Sequence, residues 1–132
     1  MTRKRFAIEL GYGADLHGED MTKAAVRAVR DAVSRSCLCG ILEICGRDRF
    51  QGVFVDARIG VPRPDNVDHA VVLAAIPIGE KTLEVVQGGM LTPGLEVPCF
   101  GPGASNIVMA CAVLTVSVDE AGRIPAAATP GT

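Results

Sequence analysis

Between Ile107 and Val118 the chain is almost continuously apolar or β-branched, with no charged residue in the run. That pattern predicts a long, mostly buried final strand. Aromatic residues make up only 4% of the chain and Trp is absent, so the core must be built from Val, Ile, Leu and Ala, which suits a sheet packed against helices.

Three further strands are expected. Arg5 to Leu10 alternates Phe6, Ile8 and Leu10 against Ala7 and Glu9, which predicts a strand with Glu9 pointing away from its apolar face. Gly52 to Val61 alternates Val53, Val55, Ala57 and Ile59 against Phe54, Asp56 and Arg58, so Asp56 and Arg58 share a face. Lys81 to Gln87 reads as another strand, closing at Gly88-Gly89.

Helical spacing is clearest from Met21 to about Arg35. Steps of 100° place Met21, Ala24, Ala25, Ala28, Val29, Ala32, Val33 and Val26 on one broad arc, and Asp20 is positioned as the N-cap. An arc this wide suggests a second packing partner, either another helix or another subunit, and its alanines permit close approach. Asp68 to about Ala75 predicts a short helix stopped by Pro77 and Gly79. Gly11 to Asp20 reads as a glycine-punctuated loop, and Leu91 to Gly103 as a surface loop or irregular hairpin.

The expected fold is therefore an α/β two-layer sandwich: a mixed four-stranded sheet with helices on one face, in the order β-α-β-α-β-β. At 132 residues the chain suits one domain, here 1–119, followed by a loose Ala/Pro/Thr/Gly-rich tail, 120–132. Two helices cannot cover both faces of such a sheet, so a homo-oligomer, a trimer or another multiple, is expected to bury the remainder.

Composition removes several function classes. With 48% hydrophobic and 21% charged residues the chain lacks the profile of disorder, and a net charge of −2 offers no basic stripe for nucleic acid. The basic opening Met1 to Arg5 is soon followed by Glu9, Gly11, Gly13 and Asp15, an order no signal sequence carries, so no leader is expected. The longest apolar runs are far too short to span a bilayer. Five cysteines, Cys37, Cys39, Cys45, Cys99 and Cys111, make an odd set suited to reduced thiols in a cytoplasmic protein, and their spacing fits no familiar zinc pattern.

Chemistry is concentrated in the loop before the long helix. Asp15, His17, Glu19 and Asp20 stand where a helix N-terminus presents free N–H groups. A neutral-range imidazole flanked by carboxylates is the arrangement a general acid or base needs, with Asp15 orienting His17 and Glu9 adding a second carboxylate from the strand end. The plainer alternative is that Asp20 caps the helix, Asp15 closes a turn and His17 is a loop residue. Glu9, Asp15, His17 and Asp20 also have the donor types for Mg²⁺ or Mn²⁺, but their spacing is not diagnostic, so neither metal nor cofactor is assigned. A dinucleotide site is rejected because Leu16 stands where the third glycine belongs.

Lys23, Arg27 and Arg30 form a cationic stripe on the helix, and Lys23, Arg27 and Arg58 are candidates to hold an anionic substrate. Ser105 and Asn106 are candidates for a nucleophile and an amide donor at a strand edge. His69 has no neighbouring partner in sequence and is expected to be structural or exposed.

The stretch from Ile8 to Ala32, with Ile59-Gly60-Val61-Pro62 and Glu84-Val85-Val86-Gln87-Gly88-Gly89, resembles the Lin family of conserved hypothetical proteins. That resemblance brings no activity with it. It covers Glu9, Asp15, His17, Asp20, Thr22, Lys23 and Arg27, which implies that the loop and the polar helix arc belong together. The succession of a strand, an Ala/Arg-rich helix and a strand ending in Pro is also similar to one repeat of the ring-opening amidohydrolases that cleave cyclic amides. By that likeness the chain would trimerise and Ser105 would pair with Lys23. The expected function is a small-molecule enzyme, a hydrolase or isomerase of an anionic or cyclic amide-like metabolite at a subunit interface. The competing expectation is a non-catalytic metabolite-binding or assembly subunit.

Overall fold

A computed structural model describes residues 2–47, 50–102 and 105–119; the expected tail, 120–132, lies outside the described residues. Five strands form one mixed sheet: β1 (Arg3–Asp15), β2 (Val53–Val61), β3 (Glu80–Gln87), β4 (Met90–Pro93) and β5 (Asn106–Asp119). Among the described residues three α-helices accompany them: α1 (Met21–Ser34), α2 (Cys39–Glu43) and α3 (His69–Ala74). The expected α/β two-layer architecture is present, with two additions. A fifth strand, β4 in chain order, emerges from the segment read as loop or hairpin, and α2 from the irregular cysteine-containing segment. Both are too short to show a period of their own.

The apolar run of β5 occupies the centre of the sheet. One edge pairs antiparallel with β1, from Asp15 opposite Val108 to Arg3 opposite Asp119. The other edge is shared: its C-terminal half pairs antiparallel with β2, and its start pairs with β4, Met90 opposite Met109. β3 runs parallel to β2 and completes the sheet. Only a strand with neighbours along its full length can be so uniformly apolar without leaving an aggregation-prone edge.

The core lies between one sheet face and α1. From the sheet come Val53, Val55, Ala57, Ile59, Val61 and the alternate residues of β5 from Val108 to Val116; from the helix come Met21, Ala24, Ala25, Ala28, Val29 and Ala32. The wide alanine arc meets the backbone of β1, and α1 also contacts a second helix, α3. A Cβ added to Gly11 would lie 2.3 Å from the Ala28 carbonyl oxygen, and one added to Gly13 would lie 2.4 Å from the Ala28 nitrogen. These glycines therefore belong to a strand, not to the loop expected over Gly11–Asp20, and β1 continues through them to Asp15.

The facing of β1 also reverses the sequence expectation. Ile8, Leu10 and Tyr12 are 55%, 62% and 61% exposed on the outer side, while Glu9 faces the helical layer. A register shift between Arg5 and Ala7 marks a bulge at Phe6, and both Phe6 and Ala7 pack against the core. Simple alternation cannot register such a bulge.

The outer sheet face carries Ile8, Leu10, Tyr12 and Val113 beside the ion pair of Arg58 Nε with Glu84 Oε1 at 3.0 Å. No element among the described residues covers it. No described helix is long and apolar enough to cross a membrane.

Candidate functional site

The end of β1 delivers Asp15 to the turn before α1. Its Oδ2 accepts hydrogen bonds from Gly18 N at 3.1 Å and Asp20 N at 2.9 Å, and its Oδ1 lies 3.6 Å from Arg27 Nη1. Asp20 in turn caps α1 by accepting from Lys23 N at 3.0 Å. These carboxylates thus shape the turn. The imidazole of His17 stacks on Phe100, with ring centroids 4.5 Å apart and planes inclined by 13°, and its Nδ1 is buried without a hydrogen-bond partner among the described residues. Asp15, His17, Lys23, Arg27 and Phe100 line a shallow hollow of about 470 Å³.

Four of the residues singled out from sequence therefore meet, and Phe100 joins them from a segment whose turns gave no reason to choose it. The carboxylate–imidazole relay is not formed, because the Asp15 oxygens face backbone N–H groups and Arg27. Arg27 also donates to Ala14 O at 2.6 Å, so part of its hydrogen-bonding capacity already serves the turn.

The other sequence candidates lie elsewhere. Asn106 Nδ2 donates to Glu19 Oε1 at 2.6 Å, and Arg63 Nη2 donates to Glu19 Oε2 at 3.0 Å. The Asn106 bond first, and Arg63 second, hold the Glu19 carboxyl below its ordinary pKa. Glu19 sits at φ 48°, a left-handed conformation that this two-sided clamp fixes at the edge of the His17 turn. Ser105 accepts from Gly94 N through its backbone oxygen at 2.7 Å, and no hydrogen bond joins it to Lys23. Arg58 is paired with Glu84 on the opposite face of the sheet. Among the described residues no group of three or more His, Cys, Asp or Glu is placed to hold a metal ion.

Glu9 is the displaced candidate with the most distinctive surroundings. It lines a cavity of about 280 Å³ between the end of α1, the 36–42 segment, the residues after α3 and the sheet. Val33, Leu38, Phe50, Ile78, Leu114 and Val116 form much of an almost wholly apolar wall. Ser36 Oγ donates a hydrogen bond to Glu9 Oε2, and burial raises the Glu9 carboxyl above its ordinary pKa. Cys37 and Cys39, both exposed free thiols, stand at the rim. Sequence alternation pointed Glu9 away from the core side, so this cavity could not be anticipated.

Residues 5–116 match the model of a family of conserved hypothetical proteins, Lin0512_fam. The chain belongs to that family. Comparison with curated proteins found no match. Among solved structures, the Lin0512 chain is similar to an FtsZ-like protein of unknown function from Nostoc punctiforme PCC 73102, at 38% identity and a TM-score of 0.81, covering 90% of this chain and 98% of that one. The Lin0512 match spans every residue lining the Glu9 cavity and the His17 hollow.

Proposed function

We propose that this protein binds a small molecule and that its principal site is the Glu9 cavity. The observation that carries this reading is the combination of a well-formed apolar pocket with a single carboxyl group whose pKa burial displaces, set opposite a hydroxyl. Ligand sites are typically concave and apolar, with a few convergent polar groups to fix orientation. The His17 hollow is shallower and more polar. Leu42 lines the cavity yet is about half exposed, so Leu42→Trp should obstruct the mouth while preserving the fold. Binding of small amphipathic molecules, followed by thermal shift, is expected for the wild type and reduced in that variant; equal shifts in both would reject this location.

A second reading retains catalysis at the His17 hollow. In it, His17 moves a proton and Lys23 and Arg27 hold an anionic or cyclic amide-like metabolite, as in a hydrolase or isomerase. The stacked imidazole beside two cationic side chains favours it. Turnover of cyclic amides and small carboxylates by wild type but not by His17→Ala would support it. The same reading expects a homo-oligomer, such as a trimer, burying the outer sheet face, and a mass measurement in solution checks this. A cytoplasmic location, where the cysteines stay reduced, is part of both readings.

A further inference from the structure

Resting on the cavity reading above, we infer that the cavity selects an amine: a compact apolar molecule carrying a protonated amino group that pairs with the Glu9 carboxylate. Among the described residues the wall holds no Lys, Arg or His, and Glu9 takes part in no ion pair. Its Oε2 receives the Ser36 hydroxyl, whereas no described residue donates a hydrogen bond to Oε1. A carboxylate against apolar walls loses hydration on one side, and without a counter-charge the ionised form is disfavoured. The raised Glu9 pKa has that origin.

Each ligand class meets this end of the cavity differently. A neutral apolar molecule could fill the space but would strip water from Glu9 without replacing it. An anionic molecule would add repulsion. A protonated amine would supply both the missing donor to Oε1 and the missing positive charge, and charge-assisted hydrogen bonds strengthen where water is displaced. The cavity, at about 280 Å³, is larger than the ~150 Å³ that accommodates benzene, so a ring with a short aminoalkyl arm is of suitable size. Its apolar part would lie against Leu114, Val116 and Ile78, and its nitrogen would point to Glu9.

The test compares three near-isosteric probes, phenethylamine, 2-phenylethanol and 3-phenylpropanoate, titrated calorimetrically into the full-length protein at neutral pH. Alkylation of Cys37 and Cys39, read peptide by peptide against Cys99 and Cys111, reports whether a bound probe shields the cavity rim. The amine should bind wild type about tenfold or more tightly than the alcohol and slow alkylation of Cys37 and Cys39 selectively, in line with the gain from one charge-assisted bond. Glu9→Gln should abolish the preference for amine over alcohol while leaving alcohol binding in place. Equal affinity for amine and alcohol, or preference for the carboxylate, would overturn the amine inference and leave the cavity reading standing. No binding and no thiol protection with any probe would overturn both. The wild-type comparison of amine with alcohol stands even should Glu9→Gln fail to fold.

Discussion

Gly11 lies directly beneath Ala28, so close that a methyl group on Gly11 would fall 2.3 Å from the Ala28 carbonyl oxygen and 2.5 Å from Ala32 N. The neighbours are helix backbone and cannot rotate away. Gly11→Ala must therefore lift α1 from β1, and a loss of about 3 kcal/mol or more is expected, at the upper end of ordinary overpacking. Chemical denaturation measures it; a loss below about 1 kcal/mol would mean that the helix rides higher on the strand than described.

Asp15 closes its turn with two backbone N–H groups. Removing the acceptor in Asp15→Ala should cost about 1–3 kcal/mol, the usual penalty for leaving buried donors unmet. Asp15→Asn should restore most of this, since an amide oxygen still accepts. The His17 ring should lose its stack on Phe100 in the alanine variant, which ring-current shifts in the His17 NMR signals would report. Unchanged signals would show that the stack is held independently of the turn.

Arg47 and Asp119 form a buried ion pair at 3.0 Å between the residues preceding β2 and the end of β5. The guanidinium also donates to Gln51 O at 3.0 Å, and a Cβ on Gly52 would fall 2.0 Å from its Nη1. Arg47→Ala should destabilise the fold by about 1–3 kcal/mol because it removes the buried guanidinium that donates to Asp119 and to Gln51 O. A thermal midpoint indistinguishable from wild type would place this pair in solvent.

Two carboxylates should titrate with opposite consequences. Asp31 accepts from Tyr12 N at 2.9 Å and from Arg35, and these bonds, the Tyr12 one first, lower its pKa. Its contribution is present above the unfolded value and is lost as pH falls through the lower folded value, so Asp31→Asn should flatten the acid limb of the stability curve. Glu9 is raised by desolvation, so its folded form binds a proton more tightly than the unfolded chain. That advantage exists below the unfolded value and disappears as pH rises through the folded one. Glu9→Gln should thus match wild type in acid and exceed it at neutral pH, by no more than about 0.5 kcal/mol after solvent screening. Denaturant midpoints recorded from pH 3 to 7 test both signs.

Local periodicity was enough to identify β2, β3, β5 and α1, because the residue spacing that makes a helix or strand is written into consecutive side chains. It was also enough to select Asp20 as a cap and to group Asp15, His17, Lys23 and Arg27, which lie within one strand end, one turn and one helix. Which side of β1 would be inner was not decided locally: the bulge at Phe6 and the seat that Gly11 and Gly13 offer α1 turned Ile8 and Leu10 outward and Glu9 inward. Tertiary packing likewise brought Phe100 to His17, Asn106 to Glu19 and Ser36 to Glu9, pairs separated by long stretches of chain. A sequence records the faces an element possesses; the partner that packs against it determines which face is buried.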